Sequence, residues 1–311
     1  MIQKVVSIVQ SKILSRIYID TNTDYHNTIL LSSLGRSGST MIANLINANN
    51  NYRIIFEPFK AGTVKIAQGF EYPTFIQPAD TNPQKLHTLD TIITGKIRTA
   101  WTDFDNRKMY ASQRLIKDVR TNLMLGWIKS NYPDLPVILL VRNPFAVVES
   151  WTRAKWSFDQ PKKRLLVQEK ELAHFLPEGI FAKYRLAETA LANHLYNWSI
   201  NYYIALQQAQ EKNIHITFYE NYFAQPEQEI KNLFAYLKKP VPEKALASLN
   251  NLSHTTRKDS PLHSGENILT AWKKKYTAAE INAGCNILKE FGLADLYDFN
   301  NTGLPFNKMQ V

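Results

Sequence analysis

Residues 29–45 read Ile29-Leu30-Leu31-Ser32-Ser33-Leu34-Gly35-Arg36-Ser37-Gly38-Ser39-Thr40-Met41-Ile42-Ala43-Asn44-Leu45 (ILLSSLGRSGSTMIANL). An apolar run leads into a small polar turn with two glycines, and the turn into a stretch with helical apolar spacing. A turn of this kind between a buried strand and a helix presents backbone N–H groups at the positive end of the helix dipole, which is a place for a phosphate. Loops of nucleotide hydrolases read GxxxxGK[ST], the lysine reaching the terminal phosphates and the hydroxyl holding magnesium. Residues 33–40 read SLGRSGST instead, with Arg36 ahead of the second glycine and Ser39 where the lysine would stand. The stretch predicts an anion cradle that lacks the hydrolase lysine.

Outward from this turn, residues 27–33 read as a strand, 40–46 as a helix, and 47–51 as an Asn-rich break. A second strand follows at 52–56 and ends at Glu57-Pro58. Strand, loop, helix, strand is the signature of a parallel sheet. Residues 60–99 carry Gly62, Gly69, Pro73, Pro78, Pro83 and Gly95, which predicts a loop-rich, substrate-facing region without long helices. Further strands are expected at 113–119, 136–141 and 213–219, and helices at 122–130, from Pro144 through Trp151, and at 226–237. Residues 169–210 are helix-rich, and their aromatics read as helix packing. The predicted fold class is α/β, a P-loop-like three-layer fold with a central, mainly parallel sheet flanked by helices. Residues 27–311 read as a single domain with substrate-facing insertions at about 60–99 and 158–203, and residues 1–26 as an N-terminal amphipathic helix or extension.

The run PVILLV at 136–141 supplies a second anion contact. Enzymes that hold magnesium present an aspartate at the end of such a strand. Here the strand delivers Arg142-Asn143-Pro144. Ligands of open α/β sheets bind at the carboxyl ends of the strands, so an arginine there suggests a second phosphate and no metal. Ser150, eight residues on, lies about two turns along the next helix on a nearby face. Singly, Arg142 also reads as a surface ion pair, and Ser37, Ser39 and Thr40 as helix caps. Jointly, the Gly/Ser turn after one buried strand and the Arg…Ser pair after another are far less readily coincidental.

Composition agrees with an anionic ligand. Among 311 residues, 37 basic against 27 acidic give a formal charge of +10, spread along the chain. No zinc-finger spacing, RNP-type aromatic signature or basic zipper is present, so nucleic acid is not the expected partner. The single cysteine, Cys285, excludes an intramolecular disulfide and a multi-cysteine metal site and points to a reducing compartment, read as cytoplasmic. In the N-terminal MIQKVVSIVQSKILSRIYI, Gln3, Lys4, Gln10, Lys12 and Arg16 interrupt the apolar run. That leaves no transmembrane span. The segment reads as an amphipathic docking helix, with peripheral membrane contact as the alternative.

These motifs carry a family resemblance. GRSGST after a strand resembles the 5′-phosphosulfate loop of sulfotransferases that use 3′-phosphoadenosine 5′-phosphosulfate (PAPS), and LVRNPFAVVES resembles their 3′-phosphate element. Glu57-Pro58 in IIFEPF is similar to the carbohydrate sulfotransferase branch. Arg257-Lys258 and Trp272-Lys273-Lys274-Lys275-Tyr276-Thr277 resemble the segment that closes over the 3′-phosphate. Two departures stand out: Arg36 replaces the lysine usual in the cytosolic small-molecule branch, and Val119 stands where that branch has its base histidine.

The resemblance implies PAPS as donor and PAP as product, with metal-independent, in-line sulfuryl transfer to a hydroxyl of a small molecule or glycan. It implies that Gly35, Arg36, Ser37, Gly38, Ser39 and Thr40 hold the 5′-phosphosulfate. It implies too that Arg142 and Ser150, with Arg257 and Lys258, hold the 3′-phosphate. Glu57 is the expected base, because it ends the strand beside the loop. Lys117 is expected to stabilise the leaving group or to pair with Asp118, and His87, in the loop-rich region, is the runner-up base. Two other classes compete. A phosphate-loop kinase or NTPase is opposed by the missing GK[ST] and by Arg142-Asn143, and a non-catalytic basic module for anionic glycan or lipid is opposed by an intact Glu57 and both phosphate motifs.

Overall fold

The computed structural model describes residues 19–106, 108–249, 267–299 and 302–305. Strands are numbered in chain order: β1 Ile19–Asp20, β2 Thr28–Ser33, β3 Tyr52–Phe56, β4 Tyr110–Ala111, β5 Gln113–Asp118, β6 Val137–Val141 and β7 His215–Phe218. Five of them form a sheet in the order β3-β5-β2-β6-β7, and every neighbouring pair is parallel. Every residue of β2 and β6 is buried, as strands covered on both faces must be.

Each face of the sheet has its own core. Leu31, Ile54, Leu115, Ile138 and Leu140 pack under α1 (Ser39–Ile46), which buries Ile42, Ala43, Leu45 and Ile46. Leu30, Ile55, Ile116, Leu139 and Val141 face the other layer. That layer includes α2 (Pro83–Ile93), α3 (Leu125–Asn131), α4 (Pro144–Arg153) and the long α5 (Ala190–Glu211). α6 (Pro226–Tyr236) lies with α1, and α7 (Ala278–Glu290) packs near α5. This is the three-layer α/β architecture expected from the strand pattern.

Two expectations are corrected. The 60–99 region holds the eleven-residue α2, because Asn82 caps it through Gln84 N and Lys85 N and Pro83 sits in its first turn, where proline is tolerated. The 122–130 helix begins as a 3₁₀ turn, Asn122–Met124, before α3. Of the N-terminal extension, residues 1–18, which carry almost all of the expected helix, lie outside the described residues; Ile19–Asp20 is β1 and Tyr25–Asn27 a 3₁₀ turn.

β1 is fixed to the sheet by two fully buried arginines. Arg53 Nη1 donates to Asp20 Oδ2 (3.0 Å) and its Nε to Asp103 Oδ1 (2.8 Å). Arg114 Nη1 donates to Asp20 Oδ1 (3.0 Å), and Nε to Thr28 Oγ1 (2.9 Å). Both arginines lie at the second position of their strands, away from the carboxyl ends. Among the described residues, no helix is long and apolar enough to cross a membrane.

Candidate functional site

β2 is the central strand, with β5 on one side and β6 on the other, so the carboxyl ends of three strands converge on the turn that follows it. In that turn Arg36 sits at φ 73° and Gly38 at φ 90°. Gly38 is also the N-cap of α1 and has no side chain to cap it, so the helix starts without a side-chain cap, Met41 N donating to Gly38 O (2.9 Å). A Cβ at Gly38 would lie 2.2 Å from Tyr219 Cε2, which gives that glycine two reasons: backbone conformation and the approach of a ring.

The turn is held from below by α5. Tyr202 Oη donates to Leu140 O (2.8 Å), accepts from Leu34 N (3.3 Å), and lies 3.2 Å from Ser37 Oγ. Trp151 Nε1, from α4, donates to Gly35 O (2.9 Å). The loop is thus braced by two helices, α5 through Tyr202 and α4 through Trp151.

Arg142 leaves β6 and meets the same loop. Its Nη1 donates to Arg36 O (3.0 Å), and its guanidinium carbon lies 4.3 Å from the centre of the Tyr219 ring. Arg142 Nε is buried and has no hydrogen-bond partner. Arg36 Nε donates to Ser150 Oγ (2.9 Å) across 114 residues of sequence. The two motifs are therefore one constellation: Gly35, Arg36, Ser37, Gly38, Ser39 and Thr40 on one side, Arg142 and Ser150 on the other. Behind Arg142, Glu220 is fully enclosed, accepting from Asn143 N (2.9 Å) and from Tyr297 Oη (3.1 Å). Burial pushes the Glu220 carboxyl up, and the Arg142 charge acts against it.

Glu57 stands at the end of β3, at φ 43°, with its amide donating to Lys117 O (2.8 Å). Its carboxylate accepts from Lys117 Nζ (2.9 Å) and from Arg120 Nη1 (2.9 Å). Burial alone would raise this carboxyl; the Lys117 and Arg120 charges and hydrogen bonds outweigh it and hold the group below its ordinary value. Lys117 pairs with Glu57 and not with Asp118, whose carboxylate instead accepts from Phe59 N (2.9 Å) and Arg120 N (2.7 Å). Val119 is buried and offers no proton acceptor.

His87 lies on the exposed side of α2, with no hydrogen bond or ring contact to this cluster. Arg257 and Lys258 lie outside the described residues. The Trp272 to Tyr276 part of the C-terminal motif is described. Trp272 stacks on Phe145 (5.1 Å between centroids, 14°), and Tyr276 Oη donates to Phe145 O (3.3 Å), in the first turn of α4. Sequence reasoning passed over Arg120, Trp151, Tyr202, Tyr219 and Glu220. Arg120 and Trp151 stood within three residues of named positions; Tyr202 carried no local signal, being one of several aromatics on a long helix.

A parallel sheet whose central strand feeds a Gly/Ser turn and a helix start without the hydrolase lysine defines a P-loop-like α/β protein. The chain belongs to the sulfotransferase family: the family model for the sulfotransferase domain matches residues 26–281. Among solved structures, the sulfotransferase domain from the curacin biosynthetic pathway aligns at 16% identity and TM-score 0.45, covering 85% of this chain and 96% of that one. A mouse sulfotransferase complexed with PAP aligns at 14% and 0.47, covering 89% and 88%. Retinol dehydratase in complex with androsterone and inactive cofactor PAP aligns at 15% and 0.43, covering 95% and 86%. No curated protein matches the chain.

Proposed function

We propose that this sulfotransferase takes its sulfuryl group from PAPS and transfers it to a hydroxyl of a small-molecule or sugar acceptor, with cationic side chains doing the charge work a metal does in kinases. The observation that carries the reading is the Arg36–Ser150 hydrogen bond, which joins the two phosphate motifs in one site. The residues fit the donor. An uncapped helix N-terminus accepts an anion, and the buried, unpartnered Arg142 Nε is a donor lacking an acceptor, which a 3′-phosphate supplies. A site with two separate phosphate contacts selects PAPS over ATP, which has no 3′-phosphate.

The donor supplies an activated sulfuryl group on a phosphate leaving group. The amides from Gly35 to Thr40, the Arg36 guanidinium and the hydroxyls of Ser37, Ser39 and Thr40 hold that end in line with the acceptor. As the acceptor oxygen bonds to sulfur and the bond from sulfur to the bridging oxygen breaks, the electron pair stays on the bridging oxygen, where Arg36 and Lys117 stabilise it. Glu57 accepts the hydroxyl proton. An ion-paired carboxylate is a weak base, so the proton moves late, once bonding to sulfur has acidified the hydroxyl. Lys117 is shared between these tasks: as it turns to the bridging oxygen it releases one oxygen of Glu57.

The deciding experiment is transfer of labelled sulfate from PAPS to an acceptor panel, wild type beside Glu57→Gln. Transfer by wild type and loss in the variant, with PAP binding kept, supports this assignment. Full activity in Glu57→Gln moves the base elsewhere.

A further inference from the structure

Gly35 differs from the other glycine of the donor loop. It is absent from the positive-φ residues, so its backbone does not require glycine. What requires it is Trp156: a Cβ at position 35 would lie 2.9 Å from Trp156 Cη2 and 3.0 Å from Cζ3. Lys155, at φ 55°, turns the chain back at the end of α4, and Trp156 N donates to Trp151 O (3.0 Å). The Trp156 ring stacks on Trp151 (6.3 Å, 19°), which is braced by His194 (5.4 Å), itself against Phe158 (5.6 Å). Yet Trp156 remains 48% exposed, one of the largest apolar side chains left open on the surface. A large indole thus lies against the Gly35 turn, backed by Trp151 and His194, with about half of its surface open beside that turn.

Resting on the reading above, we propose that the open part of Trp156 is the acceptor platform: it stacks a flat, apolar ring face of the acceptor beside Gly35 and so sets the hydroxyl against the donor loop. Trp156 is a specificity-determining residue for ring-bearing acceptors. The shared chemistry is a ring with an apolar face next to a hydroxyl, found in phenols and in the C–H face of pyranoses. A rigid indole loses little conformational freedom on binding, which suits it to this use.

The test uses the full chain saturated with PAP, titrated with 2-naphthol in one arm and cellotetraose in the other, binding being read by saturation-transfer NMR. Trp156→Leu keeps bulk without the flat face, and Trp156→Phe keeps the face. The expected result is that one arm binds wild type, weakens about tenfold in Trp156→Leu and stays within about twofold in Trp156→Phe. The PAP-induced thermal shift stays the same in all three. Which arm responds identifies the ring. Equal binding in Trp156→Leu, or no binding of either probe to a PAP-responsive wild type, overturns the platform. A wild type that shows no PAP shift removes the donor reading instead, and the platform with it.

Discussion

At the residue scale the site rests on a few groups whose chemistry is set by neighbours. Arg142 is the sharpest, with one donor on Arg36 O, one face on Tyr219 and a buried Nε awaiting an acceptor. Charge-assisted hydrogen bonds contribute roughly 1.5–3 kcal/mol each, so Arg142→Ala should weaken PAP by about 10- to 100-fold in calorimetry, with far-UV circular dichroism unchanged. Glu57→Gln should lower kcat by about 10²- to 10⁴-fold with PAP affinity retained. Because Lys117 and Arg120 hold the Glu57 carboxyl below its ordinary value, it is ionised throughout the neutral range. The acid limb of a pH–rate profile should therefore fall below about pH 4.3, the unperturbed glutamate value. The sign follows: a depressed folded value stabilises the native state above the unfolded pKa, and that contribution is lost as pH falls through the folded one. An acid limb near pH 6.5 would assign the base to a histidine.

At the scale of elements, α5 matters as much as the loop it supports. Tyr202 is at once acceptor for Leu34 N and donor to Leu140 O, so Tyr202→Phe leaves a buried amide unsatisfied. That should cost about 1–3 kcal/mol in chemical denaturation and loosen the donor loop, read as weaker PAP binding. The sequence made the loop and the strands legible because each is a local pattern: a short apolar run, a Gly/Ser turn, a proline at a helix start. β3 matched its expected span, 52–56, in full. α2 was illegible because prolines in the region read as breakers, although Pro83 sits where proline is harmless. Tyr202, Tyr219 and Glu220 were illegible for another reason: their roles arise only when α5 and β7 are brought beside β2 and β6. Lys117 shows the same limit, since only the fold decides between Asp118 next to it and Glu57 sixty residues away.

Across the whole molecule, the end of the sheet that carries the candidate site is opposite the end where Asp20 pairs with two buried arginines. Asp20 is shared by Arg53 and Arg114, both fully buried. Asp20→Ala removes the carboxylate that Arg114 and Arg53 share, leaving Arg53 to Asp103, and should destabilise the protein by about 3–5 kcal/mol. PAP affinity at temperatures below the transition should stay within about twofold, because Asp20 touches nothing in the site. A thermal melt with calorimetric titration of the same sample separates the two effects. The surplus charge of +10 needs no nucleic-acid partner, since the donor proposed here carries several negative charges itself. The central claim is that two phosphate contacts converge on a magnesium-free nucleotide site, and a thermal-shift titration with PAP, with and without magnesium, beside ATP under the same conditions tests it most directly. The account predicts stabilisation by PAP of roughly 2.7 kcal/mol at about 100 times its dissociation constant, independent of magnesium, and little by ATP. Stabilisation by ATP with magnesium and none by PAP would contradict it.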